Sequence, residues 1–222
     1  MRQERQRCSQ FSWLAGWCVV LAARQGWVIL LQMATKELII SLPNPHLRDK
    51  SRRVGLITPE IYKVIEDMRS ATIDWENSRE HELGVALAAI QIDQPLKIII
   101  VRNDFENKDD HSFSVLINPE IVKLEGEVEE DFEGCLSVPD VYGKVPRYSK
   151  VRVRALNEHG QEIRVRAEGF LARVLQHEVD HCGGKVFVDI IKDKPEAFYK
   201  LTDDGKLSKL SYDKVEQTGI FR

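Results

Sequence analysis

The chain has 222 residues, a formal net charge of −3, and 43% hydrophobic against 30% charged residues. That balance excludes disordered and fibrous classes, and the length favours a single domain with a sizeable core over two domains. Slight acidity gives no general reason to expect DNA as a partner, and four scattered cysteines, Cys8, Cys18, Cys135 and Cys182, are too few for a disulfide framework. A metal or thiol role for at least one of them is the better expectation.

Residues 1–32 differ in composition from the rest of the chain. They hold Trp13, Trp17 and Trp27, three of the chain's four tryptophans, yet no lysine, aspartate or proline. Arg2, Arg5 and Arg7 precede the apolar run "FSWLAGWCVVLAA", which Arg24 separates from "WVILLQMA". Neither run reaches the roughly 18 apolar residues of a membrane span, so no stable membrane insertion is expected. The abrupt change at Met33 marks that residue as the natural start, with a signal peptide as the alternative. Residues 33–222 are then expected to form one domain.

After Met33, "KELIISLPNPHLRDK" reads as a short strand and a proline-punctuated turn, because Pro43 and Pro45 oppose a helix. Thr58-Pro59 marks a helix start, and Ile61, Val64, Ile65 and Met68 give it an apolar stripe to about Ser70. "DWENSREHE" reads as a loop or frayed turn with His81 exposed. "GVALAAIQ" is a small-residue helix or strand suited to close packing. "LKIIIVRND" is a buried strand, and "FSVLINPEIVKLEGEVEEDFEG" contains one or two more. "VRVRALNEHGQEIRVRAEG" alternates on both sides of Asn157–Gly160, which predicts a hairpin whose arginines form a solvated face rather than an RNA surface. The expected class is α+β, with antiparallel β-sheets packed around a central metal-binding α-helix.

That helix is "FLARVLQHEVDHC", preceded by Gly169 and ended by Gly183-Gly184. Phe170, Val174, His177 and His181 share one broad stripe with Leu171, Leu175, Glu178 and Cys182, which predicts burial of all eight. His177 and His181 stand at i and i+4, where both rings can reach one ion, and Glu178 can reach a water on that ion without ligating it. Two core histidines satisfied by hydrogen bonds are the competing explanation. It leaves unexplained why a carboxylate joins them on an apolar stripe. A catalytic ion needs a third protein ligand. No histidine follows the helix, whereas Cys135 lies upstream in "DFEGCLSVPDVYGKVPR".

"GVALAAIQ" (84–91), "EGCLS" (133–137) and "QHEVDH" (176–181) resemble, in the right order, the three signature motifs of the peptide deformylase family. "LPNPHLR" (42–48) fits as well, and the likeness runs from about Leu38 to Asp189. The resemblance implies that Cys135, His177 and His181 bind one divalent metal, typically Fe²⁺, with Zn²⁺, Ni²⁺ and Co²⁺ also suited to the donors. It implies Glu178 as proton carrier, and the Gln91 side chain and Leu136 N–H as oxyanion donors. Gly84, Ala86, Gly134 and Val174 are the implied substrate-binding residues. The implied reaction removes formyl from N-formylmethionyl nascent peptides in the cytoplasm, with a transient ribosome contact left open. Alternatives are a metallopeptidase, a nucleophilic Cys135 and a non-catalytic metal-binding relative. The upstream thiolate and Gln91 weigh against the first, and the lack of a separate His-Asp pair weighs against the second.

Two positions depart from the family pattern. Ala86 stands where a second glycine is usual, implying a narrowed or shifted cleft and keeping the non-catalytic reading open. Cys182 replaces a leucine and reads as a packing residue, with a ligand or oxidation site as alternatives. Arg147 is expected to pair with Glu133 or Asp180.

Overall fold

The computed structural model describes residues 34–221 and, ahead of them, three short strands, β1 (Trp13–Leu14), β2 (Trp17–Leu21) and β3 (Val28–Gln32). These three pair antiparallel with one another, and the chain divides into two units at Ala34 and Thr35. The start at Met33 and the signal-like reading of residues 1–32 lie outside the described residues, those strands apart.

The second unit holds strands β4 (Ala86–Ala88), β5 (Ile98–Arg102), β6 (Phe113–Cys135), β7 (Val138–Leu156), β8 (Glu162–Glu168), β9 (Phe198–Leu201) and β10 (Leu207–Lys209). Their order is β10-β9-β7-β6-β5-β4, with β8 also on β7, and every pair is antiparallel. Both faces of β5 are covered. Ile98 and Ile100 enter one apolar cluster with Ile65 and Met68 of helix α1 (Pro59–Asn77). Ile99 and Val101 enter another with Ala172 and Leu175 of helix α2 (Gly169–Cys182). Side chains alternate along a strand, so a strand buried on both faces shows an unbroken apolar run.

β6 and β7 form one long hairpin whose register shifts four times, the last shift falling between Glu133 and Cys135. Such bulges bend a strand and raise its twist. β7 therefore meets β9 near its start (Tyr142 opposite Tyr199) and β8 along its end (Lys150 opposite Glu168).

Several local expectations change. α1 continues past Ser70 to Asn77 because Ala71, Thr72, Trp75 and Glu76 stay buried. Lys36–Leu38 is a 3-10 turn instead of a strand: the Lys36 N–H goes to the Asp74 carboxylate at 2.9 Å, not to a neighbouring strand. Pro45 starts a second 3-10 turn, Pro45–Arg48, since a proline at the first position loses no needed donor. Two further helices, α3 (Phe187–Ile191) and α4 (Tyr212–Gln217), follow α2. Among the described residues no helix is long and apolar enough to cross a membrane.

Arg102 joins α1 to the sheet from a fully buried position. It ion-pairs with Glu76 and donates to the carbonyls of Gly84 at 3.1 Å and Asp110 at 2.5 Å. Removing the guanidinium leaves the Glu76 carboxylate buried and alone. Arg102→Met is therefore expected to cost about 3–5 kcal/mol in urea unfolding; a loss below about 1 kcal/mol would contradict this role.

Candidate metal centre and cleft

Alternation at the end of β6 puts Glu133 and Cys135 on one face, and that face meets α2. On α2, Arg173, His177 and His181 recur every four residues and so share one ridge. Cys135 Sγ lies 3.3 Å from His181 Nε2, and the ligand atoms of Cys135, His177 and His181 all lie within 4.8 Å of one another. Around a tetrahedral ion with usual bond lengths, sulfur and nitrogen stand about 3.6 Å apart. The spacing fits an ion held by all three.

Glu133 organises the surroundings. Its carboxylate accepts from Arg147 Nε at 2.8 Å, Arg147 Nη2 at 3.0 Å, Arg173 Nη1 at 2.9 Å and His177 Nδ1 at 2.9 Å. Donation from Nδ1 leaves Nε2 as the ring nitrogen that would bind a metal once its proton is displaced. Arg147 reaches Asp180 too, at 2.5 Å, so both partners expected of it are present. Burial alone would raise the Glu133 carboxyl, but the bonds from His177 and Arg147 outweigh it and bring its pKa to about 2.

Burial and neighbouring groups push the two imidazoles in opposite directions. Burial opposes a charged His177, yet its bonds to Cys135 and Glu133 prevail and push its pKa well above the usual histidine value. Burial, then the charge on His177, drives His181 well below that value and keeps it neutral. A thiolate with two imidazoles suits a borderline divalent cation. Glu178 Oε2 and His181 Nδ1 are buried without a protein partner. Burial pushes the Glu178 carboxyl up to about 7, and a cation nearby would work against that shift.

A cleft of about 400 Å³ opens on the centre, lined by Cys135, His177, Glu178, Gln91, Leu136 and Glu133 among others. Gln91 is held at both ends: Oε1 accepts from the Ala88 N–H at 2.8 Å, and Nε2 lies 3.1 Å from Ser137 Oγ and 3.5 Å from Cys135 Sγ. Its amino group therefore faces the thiol. Ala86, Gly134 and Val174 also line the cleft, and a Cβ on Gly134 would come within 2.6 Å of the Tyr142 ring. Gly84 lies outside the lining. It lets the chain entering β4 approach α1, where its N–H bonds Glu76 Oε2 at 2.9 Å and a Cβ would meet Thr72 Cγ2 at 2.6 Å.

The polypeptide deformylase family matches residues 36–196. The peptide deformylase of Desulforudis audaxviator is 42% identical over 151 residues, covering 68% of this chain and 90% of that relative. The chain belongs to the peptide deformylase family. The relative from Thermomicrobium roseum is 41% identical over 164 residues, 72% of this chain and 89% of that one. Among solved structures, a peptide deformylase from Synechococcus elongatus in complex with actinonin superposes with a TM-score of 0.64 at 34% identity, covering 70% of this chain and 80% of that one. One from Legionella pneumophila gives 0.64 at 33% identity, covering 84% of this chain and 92% of that one.

Within this peptide deformylase fold, sequence reasoning misses Arg173 and Ser137, and it misplaces Phe170. Arg173 carries a signal, since it sits one helical turn before His177 on a largely apolar stripe. Ser137 carries none. Phe170, expected in the core, is 50% exposed at the cleft, with its ring edge-on to Phe105 at 5.1 Å. It belongs to the first turn of α2, before the helix passes under the sheet. Cys182 packs in the apolar cluster of Ala172 and Leu175, apart from the three-residue donor group, and burial pushes its thiol up to about 12.

Glu133 separates two neighbouring acids by consequence. Glu133→Gln strips the charge that two buried arginines share and is expected to cost about 3 kcal/mol or more in chemical unfolding. Asp180→Asn, which alters the more exposed partner of Arg147, is expected to cost under about 1 kcal/mol. Equal losses would contradict the ranking.

Proposed function

We propose that Cys135, His177 and His181 hold one divalent metal ion and that Glu178, Gln91 and Leu136 carry out hydrolysis beside it. The reaction follows from the family: an amide hydrolase that removes the formyl group from the N-terminal formyl-methionine of newly synthesised proteins. A non-catalytic metal-binding relative and a metallopeptidase are not favoured. What supports the residue assignment is the convergence on one cleft of a thiol, two imidazoles, an unpartnered carboxylate oxygen and an oriented amide.

When bound, the ion supplies Lewis acidity, which lets water lose a proton near neutral pH. Glu178 Oε2 is the acceptor for that proton and returns it to the leaving amine. Gln91 Nε2 and the Leu136 N–H donate to the oxyanion that develops on the formyl oxygen. With the ion bound, Glu133 accepting from His177 Nδ1 would leave Nε2 as the ligating nitrogen. Ala86, Gly134 and Val174 shape the space for the methionyl residue, and Gly84 acts on it through the seating of β4. Fe²⁺ is the favoured ion, and Zn²⁺, Ni²⁺ or Co²⁺ fit the same donors. The catalytic domain in this reading is residues 33–222, a cytoplasmic enzyme that meets formylated nascent peptides through a transient contact with the ribosome.

Anaerobic formate release from a formyl-Met-Ala-Ser peptide tests the assignment. Glu178→Ala is expected to lose about 10²–10⁴-fold in kcat with the metal still bound. Gln91→Ala is expected to lose about 10²–10³-fold. A Glu178→Ala protein within tenfold of the parent would overturn the proton-carrying role.

A further inference from the structure

The family match ends at residue 196, yet Leu201, Gly205 and Leu207 also line the cleft. All three belong to the β9–β10 hairpin. Leu201 and Leu207 are cross-strand partners, so their side chains stand on the same face, and both are partly buried. The hairpin is seated from two sides. β9 pairs with β7 at Tyr142 and Tyr199, and the Tyr199 ring meets Phe132, another cleft residue, edge-on at 4.8 Å. At the hairpin turn His81 Nε2 lies 3.2 Å from the Asp203 carbonyl oxygen, and a Cβ on Gly205 would come within 3.2 Å of the His81 ring. His81, Glu82 and Leu83 line the cleft as well, and Glu82 accepts from the Tyr142 hydroxyl at 2.5 Å. Hairpin and loop thus brace each other and share the lining.

We propose that the β9–β10 hairpin is a substrate-selecting wall, in which Leu201 and Leu207 receive an apolar side chain from the residues following formyl-methionine. The inference rests on the deformylase reading above. The cleft's reactive polar groups, Cys135, His177, Glu178 and Gln91, gather where the formyl amide must lie. The two leucines line the same cleft and add no polar group to that chemistry, which leaves them for the chain beyond. Seating one leucine-sized side chain there corresponds to roughly a tenfold gain in affinity.

The test compares formyl-Met-Leu-Leu-Ser with formyl-Met-Ser-Ser-Ser on the metal-loaded full chain and on the double variant Leu201→Asn/Leu207→Asn. The parent is expected to favour the leucine peptide roughly tenfold in kcat/KM, mainly through KM, and the variant to bring that ratio within about twofold. Leu201→Ala/Leu207→Ala, a milder change at partly exposed positions, guards against misfolding and is expected to lower the ratio in the same direction. A parent ratio near one, or a ratio that survives in both variants, overturns the proposal. Calorimetric binding of the unformylated peptides Met-Leu-Leu-Ser and Met-Ser-Ser-Ser reads the same preference without turnover. Absence of formate release from either peptide would therefore count against the deformylase reading, whereas equal binding of the two product peptides overturns the selecting wall.

Discussion

A carboxylate is tolerated in the interior of this protein because three side chains from two different elements donate to it. Glu133 on β6 takes bonds from Arg147 on β7 and from Arg173 and His177 on α2. A buried charge without such partners would cost several kcal/mol, so the strand, its hairpin mate and the helix are bound to one relative position. Cys135 lies two residues further along the same strand and consequently faces α2 where His181 does. The geometry of the Cys135, His177 and His181 cluster follows from how one acid is neutralised.

The sheet provides the support that such a site requires. β5 is buried on both faces, between α1 and α2, which fixes α2 from behind through Ala172 and Leu175. From the other side the bent β6–β7 hairpin brings its register shift to Glu133 and Cys135. A bulge at that point bends the strand and raises its twist. Gln91 is oriented by a local bond from the Ala88 N–H to its side-chain oxygen, which turns its amino group toward Cys135 and Ser137.

How much of the fold and site is legible in the sequence depends on the range of the interaction. α2 can be read because its stripe and its histidine spacing are local, and β5 because two-sided burial leaves an unbroken apolar run. The pairing of Arg147 with Glu133 and Asp180 is accessible through the proximity of the motifs. The third member of the cluster needs more: Cys135 and the helix are far apart in sequence, and the resemblance of separate motifs joins them. Arg173 has a trace in the sequence, a charge on a largely apolar stripe, but its partner Glu133 comes from another element; Ser137 has none, since Gln91 reaches it from elsewhere in the chain. α1's extension depends on Arg102 of β5, which neutralises Glu76 directly. The exposed Phe170 and the leucines of the β9–β10 hairpin are likewise decided by tertiary neighbours, which no period in the sequence records.

The most direct test of the centre is X-ray absorption at the metal edge of zinc-loaded protein. One ion per chain with one sulfur at about 2.3 Å and two nitrogens at about 2.0–2.1 Å is the predicted shell. A shell of nitrogen and oxygen alone, or no stoichiometric ion, would contradict the assignment of Cys135, His177 and His181.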